Sequence, residues 1–143
     1  MSFTKYIQLA FFLSLLSPAL ALAELPSVRV MVSGLSPATG TVEISLFDSA
    51  ESFMKEPYLQ QSGPVDEDGR FETEFVSLPD GEYAVVVVHD ANDNGKLDSC
   101  FLGFGGEGYD FSNNAQSWFG WPDFEEAKIV VDQPATLVEI DLD

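Results

Sequence analysis

The sequence predicts an all-β fold, an antiparallel β-sandwich of about seven short strands with one long irregular loop. Three observations carry that expectation. Apolar and polar residues alternate with period two in several short runs. Clusters rich in Gly, Pro, Ser and Asp separate those runs. No long helical period and no crossover helix interrupts them, which favours hairpins and sheet-to-sheet links over a parallel α/β sheet.

The runs follow in order. In "SVRVMVSGL", Val28, Val30 and Val32 share one face and Arg29 and Met31 the other. "GTVEISLF" places Val42, Ile44 and Leu46 opposite Glu43 and Ser45, and after the turn "SPATG" it reads as a hairpin partner of the first run. "DEDG", Asp66 to Gly69, turns the chain into "FETEFVSL", where Phe71, Thr73 and Phe75 alternate with charged residues. "EYAVVVVHD" is continuously apolar, the pattern of a central strand covered on both faces. "AKIVVD" and "TLVEIDL", joined by "QPA", supply the last two strands. In "AESFMKEP", Ala50 to Pro57, a single helical turn would point Phe53 and Met54 inward together. The stretch from Asn92 to Asp123, about 30 residues, is too long to be an idle loop in a compact domain.

Residues 1–23 read as a Sec-type signal peptide. Lys5 precedes the apolar core "IQLAFFLSLLSPAL", and Ala21 to Ala23 form a small-x-small site with cleavage before Glu24. That leaves one β-sandwich domain, residues 24–143, exported to the periplasm or beyond. No later stretch is long enough to span a membrane. The formal charge is −18 for the whole chain and −19 once Lys5 leaves with the leader. Such a surface repels nucleic acid and anionic lipid and attracts cations. Cys100 is the single cysteine, so no internal disulfide supports the fold, and its expected role is that of a small buried hydrophobe.

Carboxylates and amides crowd the end of the valine run. Counting from Asp90 as position 1, Asn92 is 3, Asn94 is 5, Gly95 is 6, Lys96 is 7 and Asp98 is 9. This is the oxygen-ligand spacing of a calcium loop. Side chains two residues apart on a curling loop converge on an ion, and glycine allows the sharp turn. Lys96 would offer its backbone carbonyl, and Asp98 would ligate directly or through water. The bidentate Glu that an EF-hand places at position 12 is replaced by Phe101, and a strand rather than a helix precedes the loop. Glu107 or Asp110 could supply a late carboxylate. An ion here would bind modestly, with a dissociation constant on the order of 10⁻⁴ to 10⁻³ M. The alternative is a series of Asx-turns that cap their own backbone without an ion.

His89 is the one histidine, and it shares a strand face with Tyr83, Val85 and Val87. A lone histidine makes no zinc site. No nucleophile elbow accompanies it, and the adjacent His89 and Asp90 diverge on a strand, so the chain does not read as an enzyme. Downstream, "FLGFGGEGYDFSNNAQSWFGWPDFEEA" concentrates aromatic residues. They either pack the long loop onto the sandwich or form a platform for a glycan or peptide. The ligand-binding residues of that platform would be Tyr109, Asn113, Asn114, Trp118 and Trp121.

"LPDGEYAVVVVHDANDNGKLD", "FLG", "EGYDFSNNA" and "PDFEEA" together resemble a family of exported bacterial proteins, the domain of unknown function 2141 family. The resemblance runs from about Val28 to the C-terminus. The shorter "LPDGEYAV" recurs in transthyretin-like and carboxypeptidase-regulatory-like sandwiches, so a transthyretin-like or immunoglobulin-like arrangement is expected. This chain has Gly105-Gly106 where the family usually reads Pro-Lys, and Asp110 where a Gly is common. The resemblance implies export, a β-sandwich and the Asp/Asn loop, and it implies no activity.

Overall fold

The computed structural model describes residues 24–96 and 107–143. The expected leader, residues 1–23, lies outside the described residues, as do Asp98, Cys100 and the "FLGFGG" stretch.

Among the described residues, eight strands form two sheets. In chain order they are β1 (Val28–Ser33), β2 (Thr41–Phe47), β3 (Leu59–Pro64), β4 (Phe71–Phe75), β5 (Gly81–Asp90), β6 (Tyr109–Phe111), β7 (Lys128–Val131) and β8 (Thr136–Asp141). One sheet has the order β4-β1-β8. The other has the order β3-β2-β5-β6, with β7 also paired to β5. The inward faces of both sheets build one core. It joins Val28, Val30 and Val32 to Ile44, Leu46, Phe75, Val85, Val87, Val138 and Ile140. The period-two alternation therefore places the apolar faces as expected.

The expected β1–β2 hairpin does not form. The two strands lie in opposite sheets, and β1 pairs instead with β4 (Val30↔Thr73) and β8 (Val30↔Val138). The residues between them, 34–40, form a link longer than the two to five residues typical of a tight hairpin. It arches across the sandwich end and bonds to the loop between β3 and β4, where the Leu35 amide donates to the Gly69 carbonyl (3.0 Å). The β1–β8 pair is parallel and the other pairs are antiparallel. Two strands carried no sequence signal. β3 is the polar "LQQSGP" at a sheet edge, and β6 is three residues inside the long irregular region.

The valine run behaves as its composition requires. One face of β5 points into the sandwich. The other face, Ala84 and Val86, is covered by a second cluster of Phe47, Phe53, Phe111, Phe124 and Ala127. Phe53 enters this cluster at the tip of the turn after β2, whose amide donates to the Ser49 carbonyl at helical spacing (3.1 Å). Met54 takes a left-handed backbone (φ 59°) and lies half-buried against the same cluster, so the Ala50–Pro57 segment is turns rather than a helix. Among the described residues the one α-helical turn is α1 (Phe124–Ala127).

The far edge of β5 is shared end to end by two strands. β6 pairs with Val86 to Val88, and β7 pairs with Gly81 to Ala84. Val85 falls in the gap. The fully buried Ser112 fills it: its Oγ accepts the Val85 N–H (2.8 Å) and donates to the Ala127 carbonyl (2.6 Å). A side chain thus replaces the missing strand neighbour, as a buried backbone donor demands.

Candidate cation loop and aromatic segment

β5 delivers Asp90 to the end of the sandwich, where the ladder stops and the chain must turn. Gly40 (φ 82°) makes that place possible. A Cβ on Gly40 would lie 2.1 Å from the Asp90 carbonyl oxygen, so only glycine lets the β1–β2 link pass so close. The link is pinned by the Thr39 hydroxyl, which donates to the Ala91 carbonyl (3.3 Å). His89, one residue earlier, is 2% exposed, and its Nε2 lies 2.8 Å from the Thr39 carbonyl. It faces the interior with Tyr83, Val85 and Val87, in a structural setting.

The loop closes on its own side chains. The Asn94 amide donates to both Asp90 Oδ1 and Asn92 Oδ1, each at 3.1 Å. The Gly95 amide donates to Asp90 Oδ2 (2.7 Å), and the Lys96 amide to Asn94 Oδ1 (2.8 Å). Asp90 and Asn92 therefore converge on one point, while Asn94 is turned to the following amide. Asp93 (φ 55°) points elsewhere and accepts from the Thr41 hydroxyl (2.6 Å), which ties the loop to β2. Gly95 has φ 73°, the left-handed turn expected of it. Of the predicted ligands, Asp90, Asn92, Asn94 and Lys96 lie on this turn, and Asp98 lies outside the described residues.

Glu107 returns to the same place. Its side chain comes beside the Asp90 carboxyl. Partial desolvation pushes the Asp90 carboxyl up, but the Gly95 and Asn94 amides, Glu107 and the Asp93 amide together outweigh it and hold its pKa below the ordinary range. Asp110, the other late carboxylate that the sequence offered, goes to β6 and accepts the amide of its neighbour Phe111 (2.8 Å). Burial, opposed by that bond and aided by the nearby Asp141 charge, raises its pKa. An open cleft of about 560 Å³ flanks the loop, and Glu43, Asp90 and Asp93 reach it with Lys96. No three His, Cys, Asp or Glu side chains gather into a metal-holding group among the described residues. The donors that the spacing offers are mostly amide and carbonyl oxygens.

The aromatic segment divides in two. Trp121 stacks edge-on to Tyr109 (4.7 Å between centroids) and to Phe111 (5.9 Å), which ties it to the second cluster. Trp118 and Phe119 are 97% and 94% exposed at the tip of the turn just before it. Asn113 spends its amide on the Glu126 carbonyl (2.9 Å), and both Asn113 and Asn114 occupy left-handed backbone. The five expected ligand residues thus do not share one platform. Tyr109 and Trp121 meet, Asn113 is a brace, and Trp118 stands apart.

A family model described as an uncharacterized protein conserved in bacteria (DUF2141) matches residues 30–139. The chain belongs to that family. The DUF2141 match spans both sheets, the Asp90 loop and the aromatic segment. No curated protein matches the chain, and no solved structure does. Among the features that matter here, sequence reasoning missed Ser112 and the Thr41–Asp93 bond, for which the sequence carries no signal beyond a hydroxyl in each place. It named Glu107 without being able to choose it over Asp110.

Proposed function

We propose that this DUF2141 protein is an exported β-sandwich whose Asp90–Asp98 loop binds calcium, in a structural or ligand-positioning role rather than a catalytic one. The observation that carries the reading is the meeting of Glu107 with Asp90 at the mouth of a turn whose other side chains also present oxygen. As bare anions two carboxyl groups in contact repel, and either a shared proton or a cation relieves that repulsion. At neutral pH on a strongly acidic chain, a hard divalent cation is the natural mediator. The Asx hydrogen bonds are compatible with it, since each carboxylate or amide oxygen has a second lone pair to offer. Calcium suits this set better than magnesium, because a flexible all-oxygen loop cannot impose a tight octahedron. In this reading Asp90, Asn92, Asn94, the Lys96 carbonyl, Asp98 and Glu107 hold the ion. The burial of His89 and its bond to the Thr39 carbonyl favour a structural role for that residue.

Calorimetric titration of chelated residues 24–143 tests this. The wild type should bind calcium with a dissociation constant of roughly 10⁻⁴ to 10⁻³ M. Asp90→Asn and Glu107→Gln should each weaken binding at least tenfold while leaving the fold intact. A self-capped turn predicts no calcium heat at all, and a site that excludes Glu107 predicts that Glu107→Gln binds as the wild type does.

The aromatic loop supports a second reading, a peptide- or glycan-binding module. The near-complete exposure of Trp118 and Phe119 favours it. The diversion of Asn113 to a backbone carbonyl removes one hydrogen-bonding neighbour that a sugar would use, and so turns the choice toward a peptide.

A further inference from the structure

From Phe111 to Pro122 the chain runs "FSNNAQSWFGWP" without one charged residue, in a protein with 30 Asp, Glu, Lys and Arg. That run ends in an exposed turn. The Ser117 hydroxyl meets the Phe119 amide (3.3 Å), Gly120 has φ 83°, and Trp118 and Phe119 point outward. Beside it lies a shallow groove of about 440 Å³, with Phe53 and Phe124 at its floor and Met54 and Trp121 as walls. Its volume falls within the range of ligand sites. The groove is the open mouth of the second cluster, and Trp121 remains 45% exposed there although it stacks on two rings.

The charge around the groove says what fits it. Asp123 and Glu125 stand on its rim. The two segments that form it, Asp48–Pro57 and Asp123–Lys128, carry six carboxylates against two lysines. Lys128 is bridged to Glu82 (3.0 Å) and to the rim residue Glu125 (2.7 Å), which offsets part of that charge and leaves carboxylates in excess. An apolar floor inside an acidic rim is complementary to an apolar side chain flanked by Lys or Arg. It disfavours anionic lipid, which the rest of the surface also repels.

We infer that the groove between Met54 and Trp121 is a docking site for a cationic peptide segment that places an apolar side chain on Phe53 and Phe124. The site is independent of the Asp90 loop, which lies at the end of β5, and the test is run in excess chelator so that the two readings fail separately. In Trp118→Phe, Trp121 is the sole tryptophan. An 18-residue Leu–Lys amphipathic peptide without tryptophan should shift its emission to the blue, saturably, at micromolar concentration. The midpoint should weaken at least tenfold between 50 and 500 mM salt. The charge-reversed Leu–Glu peptide should give no shift.

Met54→Glu and, as a second variant at an exposed rim position, Ala50→Arg should each weaken the Leu–Lys midpoint about tenfold. Asp66→Asn/Asp68→Asn, away from the groove, should leave it unchanged and so exclude a general attraction of cations to an acidic chain. Equal binding by both groove variants, loss of binding in the Asp66/Asp68 variant, or a response to the Leu–Glu peptide would overturn the proposal. So would a Trp121 shift with phosphatidylcholine vesicles and none with the Leu–Lys peptide, which would assign the turn to a lipid surface.

Discussion

β5 and the loop that follows it are continuous in sequence and opposite in physics. From Tyr83 to Val87 every side chain is buried, on alternating faces, by two separate clusters. From Asn92 to Lys96 every residue is exposed, and the backbone is held by side-chain oxygens instead of a partner strand. Burial decides the first segment, and the loss of ladder partners decides the second. β2 begins at Thr41, opposite Asp90, so the amides of the chain beyond Asp90 have no β2 partner and need acceptors, and Asp and Asn supply them. The contrast teaches that apolar burial and polar side-chain capping are held on adjacent segments of one chain, so each can be perturbed without the other.

The largest effect should come from the strand side. Phe75→Ala empties a position that is 1% exposed in the main core and should cost about 3–5 kcal/mol, read as a lower denaturant midpoint with an unchanged slope. Calcium binding by the fraction still folded should survive. Next is Ser112→Ala, which strands the Val85 amide in the gap between β6 and β7 and should cost about 1–3 kcal/mol. Hydrogen exchange at Val85 would locate that loss, and fast exchange spread evenly over β5 would argue against the bridging role.

On the loop side the costs shrink. Gly95→Ala meets no atom of the described residues within 4 Å, so its left-handed backbone is what resists, at about 1 kcal/mol. A loss as large as that of Phe75→Ala would erase the contrast. The smallest effect is electrostatic. Asp110 has a raised pKa, so its ionised form is a penalty in the folded state, present above that pKa and relieved as pH falls through it. Asp110→Asn keeps an acceptor for the Phe111 amide and should stabilise at pH 7 by roughly a few tenths of a kcal/mol, after discounting for screening. The gain should vanish in acid. Asp90 works with the opposite sign. Its lowered pKa contributes stability above the ordinary carboxyl range, which is lost as pH falls through the folded value.

How much of this was legible follows the same divide. The faces of β1, β2, β4 and β5 were readable because period-two burial writes itself into the residues. The coverage of β5 on both faces was readable from four consecutive valines. The partner of β1 was not, because alternation fixes which face is buried and says nothing about which strand lies alongside. β3 was hidden because an edge strand needs no apolar run, and β6 because three residues have no period. At the site, the spacing from Asp90 to Lys96 foretold the curl and the Gly95 turn. It could not choose between Glu107 and Asp110, since that depends on where a long loop returns. The aromatic residues were legible as a group, but their division into a packed set and an exposed pair depended on which rings reach the second cluster.

The central claim is that the loop after β5 is organised around calcium. The most direct test is the melting temperature of residues 24–143 in excess EDTA, then in 10 mM calcium or 10 mM magnesium. The account predicts a rise of several degrees with calcium, since a ligand at ten to a hundred times its dissociation constant stabilises by roughly 1.4–2.7 kcal/mol, and little or none with magnesium. Identical melting in all three conditions would contradict it and leave the loop as a turn that caps itself.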